Sequence, residues 1–242
     1  MNKIWQLNFL IFIIVIGSVG SLPAQTKTAA GETKPATAAK PAEAKKSNQR
    51  PAKNAAKGEP FDRADVKTLA AQCVKFETDA GAITMEMFPE SAPEAVRNFL
   101  NLTATGAFNS TTFNRVVPNF VIQGGDLSTG GKWTMETAQR AARTLPDEPS
   151  LIKHERGTLS MARTGEPNSA TTGFFILVGT ATHLDGTFAA FGRVTSGMET
   201  VDAINKAPVE NEKPKKAVAI TRATIFPCPA AAETTPTKPP AR

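Results

Sequence analysis

An arginine and a glutamine stand within a largely apolar stretch of the chain, residues 113–126. Apolar and polar residues alternate on both sides of a Pro-Asn pair, which predicts two strands separated by a turn. Residues two apart along a strand lie on one face, so Arg115 should share a face with Phe113, and Gln123 with Val121. A guanidinium and an amide beside apolar groups would suit a small apolar ligand that carries backbone polar groups.

Few other side chains offer chemistry. His154, His183 and the two cysteines do not form a close-spaced ligand set, so the sequence predicts no metal site. The glycine-rich segment 126–133 lacks the first glycine and the final Ser or Thr of a phosphate-binding loop, which favours a surface loop. No Gly-x-Ser-x-Gly elbow and no convincing nucleophile–base pair occurs, so we expect neither hydrolysis nor a cofactor.

The composition allows one good-sized domain with a true apolar core. The chain has 242 residues, of which 40% are hydrophobic and 14 are Phe. The net charge of +6 lies in the N-terminal part, because residues 25–60 hold eight Lys or Arg against three Glu and Lys3 adds one more. The remainder is close to neutral. A basic nucleic-acid-binding surface is therefore not expected on the globular part.

The chain divides into four predicted segments. Residues 1–24 combine Lys3, a short apolar run and small residues, which is typical of an export signal cleaved after Ala24; an uncleaved anchor is the alternative. The run is shorter than the ~20 residues that span a bilayer comfortably. Residues 25–60, rich in Ala, Lys and Pro, predict a disordered linker, and residues 230–242 a disordered tail. The globular domain is expected over residues 61–229.

Many short alternating segments predict a mainly β domain. A hairpin is predicted over residues 74–78 and 83–87, because both segments alternate around a turn. Further strands are predicted near 112–117, 119–123, 158–162, 174–178, 189–194 and 218–226. Many short strands with only two helices indicate antiparallel architecture, most simply a closed barrel without free edges.

Two helices are predicted within this domain. The first should begin near Ser91, which has capping-box spacing to Glu94, and should end at Gly106. The second should cover residues 198–206, where apolar residues recur on one helical face.

Three ordered motifs carry a resemblance to a known family. Residues 113–126 read FNRVVPNFVIQGGD, residues 157–176 read GTLSMARTGEPNSATTGFFI, and His-Leu-Asp-Gly at 183–186 precedes Phe-Gly-Arg-Val at 191–194. In order and approximate spacing they resemble cyclophilin-type peptidyl-prolyl cis-trans isomerases over roughly residues 72 to 228. The resemblance implies an eight-stranded antiparallel barrel capped by two α-helices, and rotation of X–Pro bonds as the activity.

The resemblance also assigns site residues. Arg115 matches the catalytic arginine that contacts the prolyl nitrogen, and Gln123 the glutamine that binds a substrate carbonyl and steadies the guanidinium. The proline pocket would be formed by Phe120, Val121, Phe175 and Leu184, with Phe174 in the core. Ala162 and Arg163 match the segment whose backbone pairs with the residue before proline, and the Arg163 side chain is expected in solvent. The implied partners are proline-containing polypeptides, bound by a monomer.

Four positions depart from the family pattern. Gly173 replaces a common glutamine, His183 a common aromatic residue, and Phe188 and Asn114 common histidines. One substrate-side polar contact is therefore expected to be missing. His183, expected at the exposed rim, and Phe188 complete the predicted substrate-binding residues. The polarity of His183 puts sensitivity to cyclosporin in question.

The two cysteines lie at the two ends of the predicted domain. The family fold brings its first and last strands together, so the resemblance implies a disulfide between Cys73 and Cys228 in an oxidising compartment. Two free thiols are the alternative.

The sequence thus predicts an exported folding catalyst of the periplasm or cell envelope, membrane-attached only if residues 1–24 are retained. Two alternatives remain open. One is a chaperone-like module that binds proline peptides with little catalysis. The other is an envelope attachment protein that acts through residues 25–60.

Overall fold

The computed structural model describes residues 58–131 and 133–229. Eight strands form one antiparallel sheet in the order β10-β1-β2-β7-β5-β6-β4-β3, and two short strands, β8 and β9, form a separate hairpin. The strands are β1 Gln72–Thr78, β2 Gly81–Met87, β3 Arg115–Val117, β4 Val121–Gly124, β5 Thr158–Met161, β6 Phe174–Leu177, β7 Ala190–Ser196, β8 Val209–Glu210, β9 Lys213–Pro214 and β10 Ile220–Pro227.

The predicted closed barrel is wrong, because the sheet is not closed by hydrogen-bonded strands. The outermost strands, β3 and β10, do not pair in the described part of the chain. An isolated bridge between Thr112 and Ala219 connects the segment before β3 to the start of β10. Backbone hydrogen bonds from Phe113 N to Val218 O, from Ser110 N to Ile220 O and from Ile220 N to Thr111 O accompany it. β3 is three residues long, and on its outer side Val116 N donates to Glu212 O instead. The sheet is therefore an eight-stranded half-barrel.

Both predicted helices are present. The helix α2 covers Pro93–Ala104, and α4 covers Met198–Asn205. Gly106, at φ 74°, ends α2 as predicted: its N–H donates to Thr103 O, and the next N–H donates to Leu102 O. Two short helices were not predicted, α1 Val66–Ala70 and α3 Met135–Ala141. α3 buries no residue, so it leaves no apolar periodicity in the sequence.

The predicted capping box at the start of α2 is wrong. The N-cap residue of α2 is Ala92, whose side chain makes no capping hydrogen bond. Ser91 lies one position too early for its hydroxyl to do so. The carboxylate of Glu148 takes this role instead, accepting hydrogen bonds from Glu94 N at 2.9 Å and Ala95 N at 2.8 Å.

One large apolar cluster fills the concave side of the sheet under α2 and α4. The strands supply alternate residues to it, as in β1, where Val74 and Phe76 are fully buried. Five phenylalanine rings meet at its centre, with neighbouring centroids 5.1–5.7 Å apart. They belong to Phe76, Phe99, Phe108, Phe174 and Phe191. Aromatic packing of this kind adds to the stabilisation from burial alone.

The disulfide implied by the family resemblance is present. Cys73 and Cys228 are bonded, with their Cα atoms 4.9 Å apart. Cys73 lies on β1 opposite Phe226 of β10, so the bond joins the first and last strands of the sheet.

The remaining predicted segments lie largely outside the described residues. These are the signal at 1–24, most of the linker at 25–60 and the tail at 230–242. Within the linker, residues 58–60 are described, and Glu59 pairs with Arg140 of α3 at 2.7 Å. In the described ranges, no helix has the length and apolar character needed to cross a bilayer.

Candidate active site

Strands β4 and β6 separate two apolar clusters. Ile122 and Phe174 point into the main core, whereas Val121 and Phe175 lie on the opposite, convex face. Alternation along each strand sends neighbouring residues to opposite faces. The predicted orientations of Phe174 and Phe175 are therefore confirmed. The second cluster is small and open to solvent along one side.

An open depression of about 170 Å³ lies over this second cluster. Nine residues line it, and all nine are among the ten site residues predicted from the sequence. They are Arg115, Phe120, Val121, Gln123, Ala162, Arg163, Phe175, Leu184 and Phe188. The tenth, His183, is exposed beside the depression, where its ring stacks on Phe120 with centroids 5.7 Å apart. The walls are mostly aromatic and aliphatic, and Arg115 and Gln123 form a polar edge.

Arg115 and Gln123 of this edge are paired across two strands. They lie directly opposite each other in the ladder between β3 and β4, and Gln123 lies opposite Phe175 in the next ladder. Arg115 Nη1 donates a hydrogen bond to Gln123 Oε1 at 3.0 Å. The acceptor is taken by the guanidinium, so the amide Nε2 of Gln123 remains the group that can donate to a substrate carbonyl.

One detail of the predicted hairpin is wrong. Phe113 does not share a face with Arg115, because residues 113–114 are not in a strand. The Phe113 ring instead packs in the main core against Phe174, with centroids 6.1 Å apart. Val121 and Gln123 do share a face, as predicted, and both line the depression.

A carboxylate that the sequence did not identify contacts Arg115. Arg115 Nε donates to Glu212 Oε2 at 2.7 Å. Glu212 lies in the turn between β8 and β9, 97 residues further along the chain. No local pattern marks this pairing, because it depends on how the β8–β9 hairpin lies against β3.

A second unpredicted residue holds the turn that carries Phe120. Asn205, at the end of α4, accepts a hydrogen bond from Asn119 N at 2.8 Å. Its Nδ2 donates to Val117 O at 2.9 Å and to Val121 O at 3.1 Å. Asn119 has φ 61°, a left-handed conformation that asparagine tolerates better than most residues. The turn between β3 and β4 is thus attached to α4 by one buried amide.

The Arg163 side chain is not solvated, contrary to expectation. It is only 15% exposed, and its guanidinium lies over the Phe188 ring, 4.8 Å from the centroid. Nη1 donates to Thr164 O at 3.0 Å. Both residues of this cation–π contact line the depression. The aromatic replacement at position 188 explains the geometry, since a ring face there gives the guanidinium a surface to cover.

The rim beside Leu184 is attached to a buried histidine. His154 Nδ1 lies 3.2 Å from Asp185 Oδ1, and His154 Nε2 lies 3.2 Å from Ser160 Oγ. Burial lowers the pKa of His154, although Asp185 opposes this shift. The pKa of Asp185 is itself lowered, first by the backbone N–H of His154. Ser160 is fully buried and donates to Ala189 O, so this Asp-His-Ser row offers no accessible nucleophile.

Gly173, directly before β6, contributes no side chain next to Ala162, which directly follows β5. A Cβ atom built there would meet the Ala162 Cβ at 3.3 Å, so a longer side chain would need only a small adjustment. Among the described residues, no group of three His, Cys, Asp or Glu is placed to hold a metal ion.

Comparison with known proteins gives one consistent match. The model of the family described as "Cyclophilin type peptidyl-prolyl cis-trans isomerase/CLD" matches residues 73–225. Peptidyl-prolyl cis-trans isomerase CYP23 of Arabidopsis thaliana is 39% identical over 146 residues, covering 60% of this chain and 65% of that protein. A peptidyl-prolyl cis-trans isomerase of Acinetobacter baylyi is 38% identical over 145 residues, covering 58% and 75%. The chain thus spans slightly less than two thirds of the first relative.

Solved structures agree with this match. A cyclophilin-type peptidyl-prolyl cis-trans isomerase of Cryptosporidium parvum superposes with a TM-score of 0.58 at 32% identity, covering 65% of this chain and 99% of its own. The same enzyme in the presence of the dipeptide Ala-Pro gives 0.56 at 31% identity, covering 64% and 98%. Family model, relatives and fold lead to one conclusion, which the sequence motifs had predicted: this chain belongs to the cyclophilin-type peptidyl-prolyl cis-trans isomerases.

Proposed function

We propose that this protein accelerates cis–trans rotation of X–Pro bonds while exported proteins fold. One observation carries the proposal: the Arg115 guanidinium, bound to Gln123, stands at the polar edge of an apolar depression lined by Phe120, Phe175 and Leu184. The remaining steps follow from the chemistry of the imide bond.

Rotation of an X–Pro bond needs no nucleophile and no base. The barrier of about 18–20 kcal/mol arises because rotation breaks amide resonance. Uncatalysed exchange takes roughly 10–100 s. A catalyst must hold the proline, let the preceding residue turn, and bind the twisted bond better than either planar form.

Arg115 supplies the preference for the twisted bond. In that state the prolyl nitrogen becomes pyramidal and regains a lone pair that can accept a hydrogen bond. A guanidinium is always charged and offers several donors in a fixed plane. Its contact with the nitrogen is therefore stronger in the transition state than in the ground state, and each tenfold in rate requires about 1.4 kcal/mol.

The apolar depression holds the proline ring. Burying apolar surface contributes roughly 25 cal/mol per Å², so the ring gives binding energy without hydrogen bonds. The Ala-Pro dipeptide present with the Cryptosporidium parvum enzyme supports proline-containing peptides as ligands. Gln123 Nε2 would donate to a substrate carbonyl, and the backbone of Ala162 and Arg163 would pair with the residue before proline.

The site of action is proposed to be the periplasm or cell envelope. Two features support it: the signal-like residues 1–24, and the Cys73–Cys228 disulfide, since disulfides persist in oxidising compartments. The protein would act as a monomer, attached to a membrane only if residues 1–24 are retained. Fractionation of cells producing the full chain tests this, with a variant that lacks residues 1–24 as the control.

A stopped-flow assay with a proline peptide tests the activity. Wild-type protein should accelerate exchange, and Arg115→Ala should lose one to three orders of magnitude in kcat/KM, about 1.4–4 kcal/mol. Arg222→Ala, an exposed arginine on β10, is the matched control and should keep full activity. Near-normal turnover by Arg115→Ala would reject the assignment of Arg115.

One observation favours a second candidate. Because Gly173 replaces a common glutamine, it cannot make a side-chain polar contact with the substrate. This would suit a chaperone-like module that binds proline peptides with little catalysis. Wild-type protein that binds such a peptide without accelerating its exchange would establish this alternative.

A further inference from the structure

We propose that Glu212 is a positioning residue for the isomerase, and that it orients the Arg115 guanidinium through Nε; this inference rests on the proposed function. The contact is direct, with Arg115 Nε donating to Glu212 Oε2 at 2.7 Å. Together with the Gln123 contact at Nη1, it fixes the guanidinium plane from two sides. Within residues 58–131 and 133–229 no hydrogen bond is found for Nη2, which leaves this group for the substrate.

The backbone of Glu212 is held in place as well. Its carbonyl oxygen accepts a hydrogen bond from Val116 N at 2.8 Å. Val116 follows Arg115 in β3, so one residue of the β8–β9 turn contacts two consecutive residues of the strand that carries the guanidinium. The carboxylate thus reaches Arg115 from a point fixed relative to β3, as a positioning group requires.

The β8–β9 turn has a backbone conformation that is unfavourable for glutamate, and the contact with Arg115 explains why glutamate occurs there. Asn211 and Glu212, with φ 50° and 63°, are the two central residues of a two-residue hairpin turn, flanked by the pair Glu210 and Lys213. Turns with positive φ at both centres strongly favour glycine at the second position. Glutamate there is an outlier, and such outliers concentrate where a side chain has a functional role. Glycine would suit the turn better, but it would leave Arg115 Nε without its partner.

Glycine at position 212 should favour the turn but remove the partner of Arg115, so one substitution separates stability from activity. Glu212→Gly should keep or raise the melting temperature, because it relieves the turn. The same change should lower kcat about tenfold, since misplacing a catalytic group by a fraction of an ångström is costly. KM should change little, because the apolar depression is untouched. A residue that only stabilised the fold would lose activity and stability together.

Three further measurements complete the experiment. Glu212→Gln retains an acceptor oxygen and should keep most of the wild-type kcat. Glu210→Ala removes an exposed carboxylate from the same hairpin and should leave kcat unchanged. In NMR spectra, the Arg115 Nε–H signal, assigned by its loss in Arg115→Lys, should exchange with water faster in Glu212→Gly than in wild type.

The outcomes separate the two proposals. Active wild type with unchanged kcat in Glu212→Gly would overturn the role of Glu212 and leave the isomerase function standing. A drop in kcat that tracks a drop in melting temperature, without rescue by Glu212→Gln, would also overturn it. Wild-type protein without isomerase activity would overturn the proposed function, and the role of Glu212 with it.

Discussion

Asn205 binds Asn119 across 86 residues of sequence and connects α4 to the turn that carries Phe120. The amide oxygen receives Asn119 N–H at 2.8 Å, and the amide nitrogen donates to the carbonyl oxygens on either side of the turn. Asn205 is 5% exposed, so water cannot easily replace these bonds. The floor of the proposed proline pocket therefore depends on a residue that does not line it.

Replacing Asn205 by alanine should loosen this floor. The change leaves the Asn119 N–H and the Val121 carbonyl oxygen without their partner, which costs about 2–3 kcal/mol in free energy of unfolding. KM for a proline peptide should rise, because Phe120 is no longer held against the ring. Urea unfolding and isomerase kinetics measure both effects. Lys206→Ala, an exposed neighbour, is the control; equal stability of the two variants would contradict the role of Asn205.

Two substitutions at Gln123 should separate its two functions. Gln123→Glu keeps an oxygen for Arg115 Nη1 but has no amide to donate to a substrate, so KM should rise while kcat stays within about threefold. Gln123→Ala removes both, and kcat/KM should fall about 10- to 100-fold, since a hydrogen bond to a charged group contributes about 1.5–3 kcal/mol. Steady-state kinetics decide; equal losses in both variants would mean that Gln123 does not orient Arg115.

Residues that act through local spacing were predictable from the sequence. Strand alternation separated Phe174 from Phe175, and the resemblance to the family, with the replacement at Phe188, named the nine residues that line the depression. The separation could be predicted because a strand places neighbouring residues on opposite faces whatever its neighbours are, whereas the lining residues came from the family resemblance. The positive φ of Gly106 at the end of α2 followed from the same kind of local rule.

Contacts across long stretches of sequence were not predictable. The cap on α2 comes from Glu148, 54 residues from Glu94, and the partner of Arg115 Nε comes from Glu212, 97 residues away. Closure of the sheet failed as a prediction for a related reason. Strand count alone does not reveal that β3 is only three residues long, or that the β8–β9 turn bonds to its outer edge.

The disulfide should matter for stability and not for catalysis. Cys73 and Cys228 are 155 residues apart, so on the chain-entropy model their bond contributes up to about 5 kcal/mol. It joins β1 and β10, at the end of the sheet opposite β4 and β3. Reductant should lower the urea midpoint of wild type and not that of the double variant Cys73→Ala/Cys228→Ala. At 25 °C the folded forms should have equal kcat; a reduced enzyme with lower kcat would contradict this separation.

Buried His154 should make stability depend on pH. Burial lowers the pKa of His154 below its ordinary value of 6.5. Between the folded-state pKa and 6.5, the unfolded chain therefore binds the proton more readily than the folded one. The free energy of unfolding should therefore rise as pH increases from the folded-state pKa to about 6.5. The lowered pKa of Asp185 acts in a separate window, below about 3.8.

Substitution and NMR both check this pH dependence. His154→Gln cannot titrate, and its free energy of unfolding should lose the slope just below pH 6.5. NMR titration of the His154 ring should give a value under 6.5. A ring that titrates above 6.5 would show that Asp185 outweighs burial. A slope that persists in His154→Gln would show that another group causes the pH dependence.

Glu148 should stabilise α2 although its own ionisation is disfavoured. Its carboxylate accepts hydrogen bonds from Glu94 N and Ala95 N, and losing such a cap costs about 1–2 kcal/mol. Burial nevertheless raises the pKa of Glu148, so the folded state holds its proton more tightly than the unfolded state. The contribution of Glu148 should therefore be largest at acid pH and should decline as pH rises through the folded-state pKa.

Three variants resolve these two effects. Glu148→Ala should lose the cap at every pH, whereas Glu148→Gln, a neutral analogue with one acceptor oxygen, should lose part of the cap and all of this pH dependence. Glu90→Ala, an exposed glutamate just before the helix, should change little. Thermal unfolding between pH 4 and 8 measures all three against wild type. If Glu148→Gln were as unstable as Glu148→Ala at high pH, the charge and not the acceptor would be what holds the start of α2, because only the ionised carboxylate interacts favourably with the helix dipole.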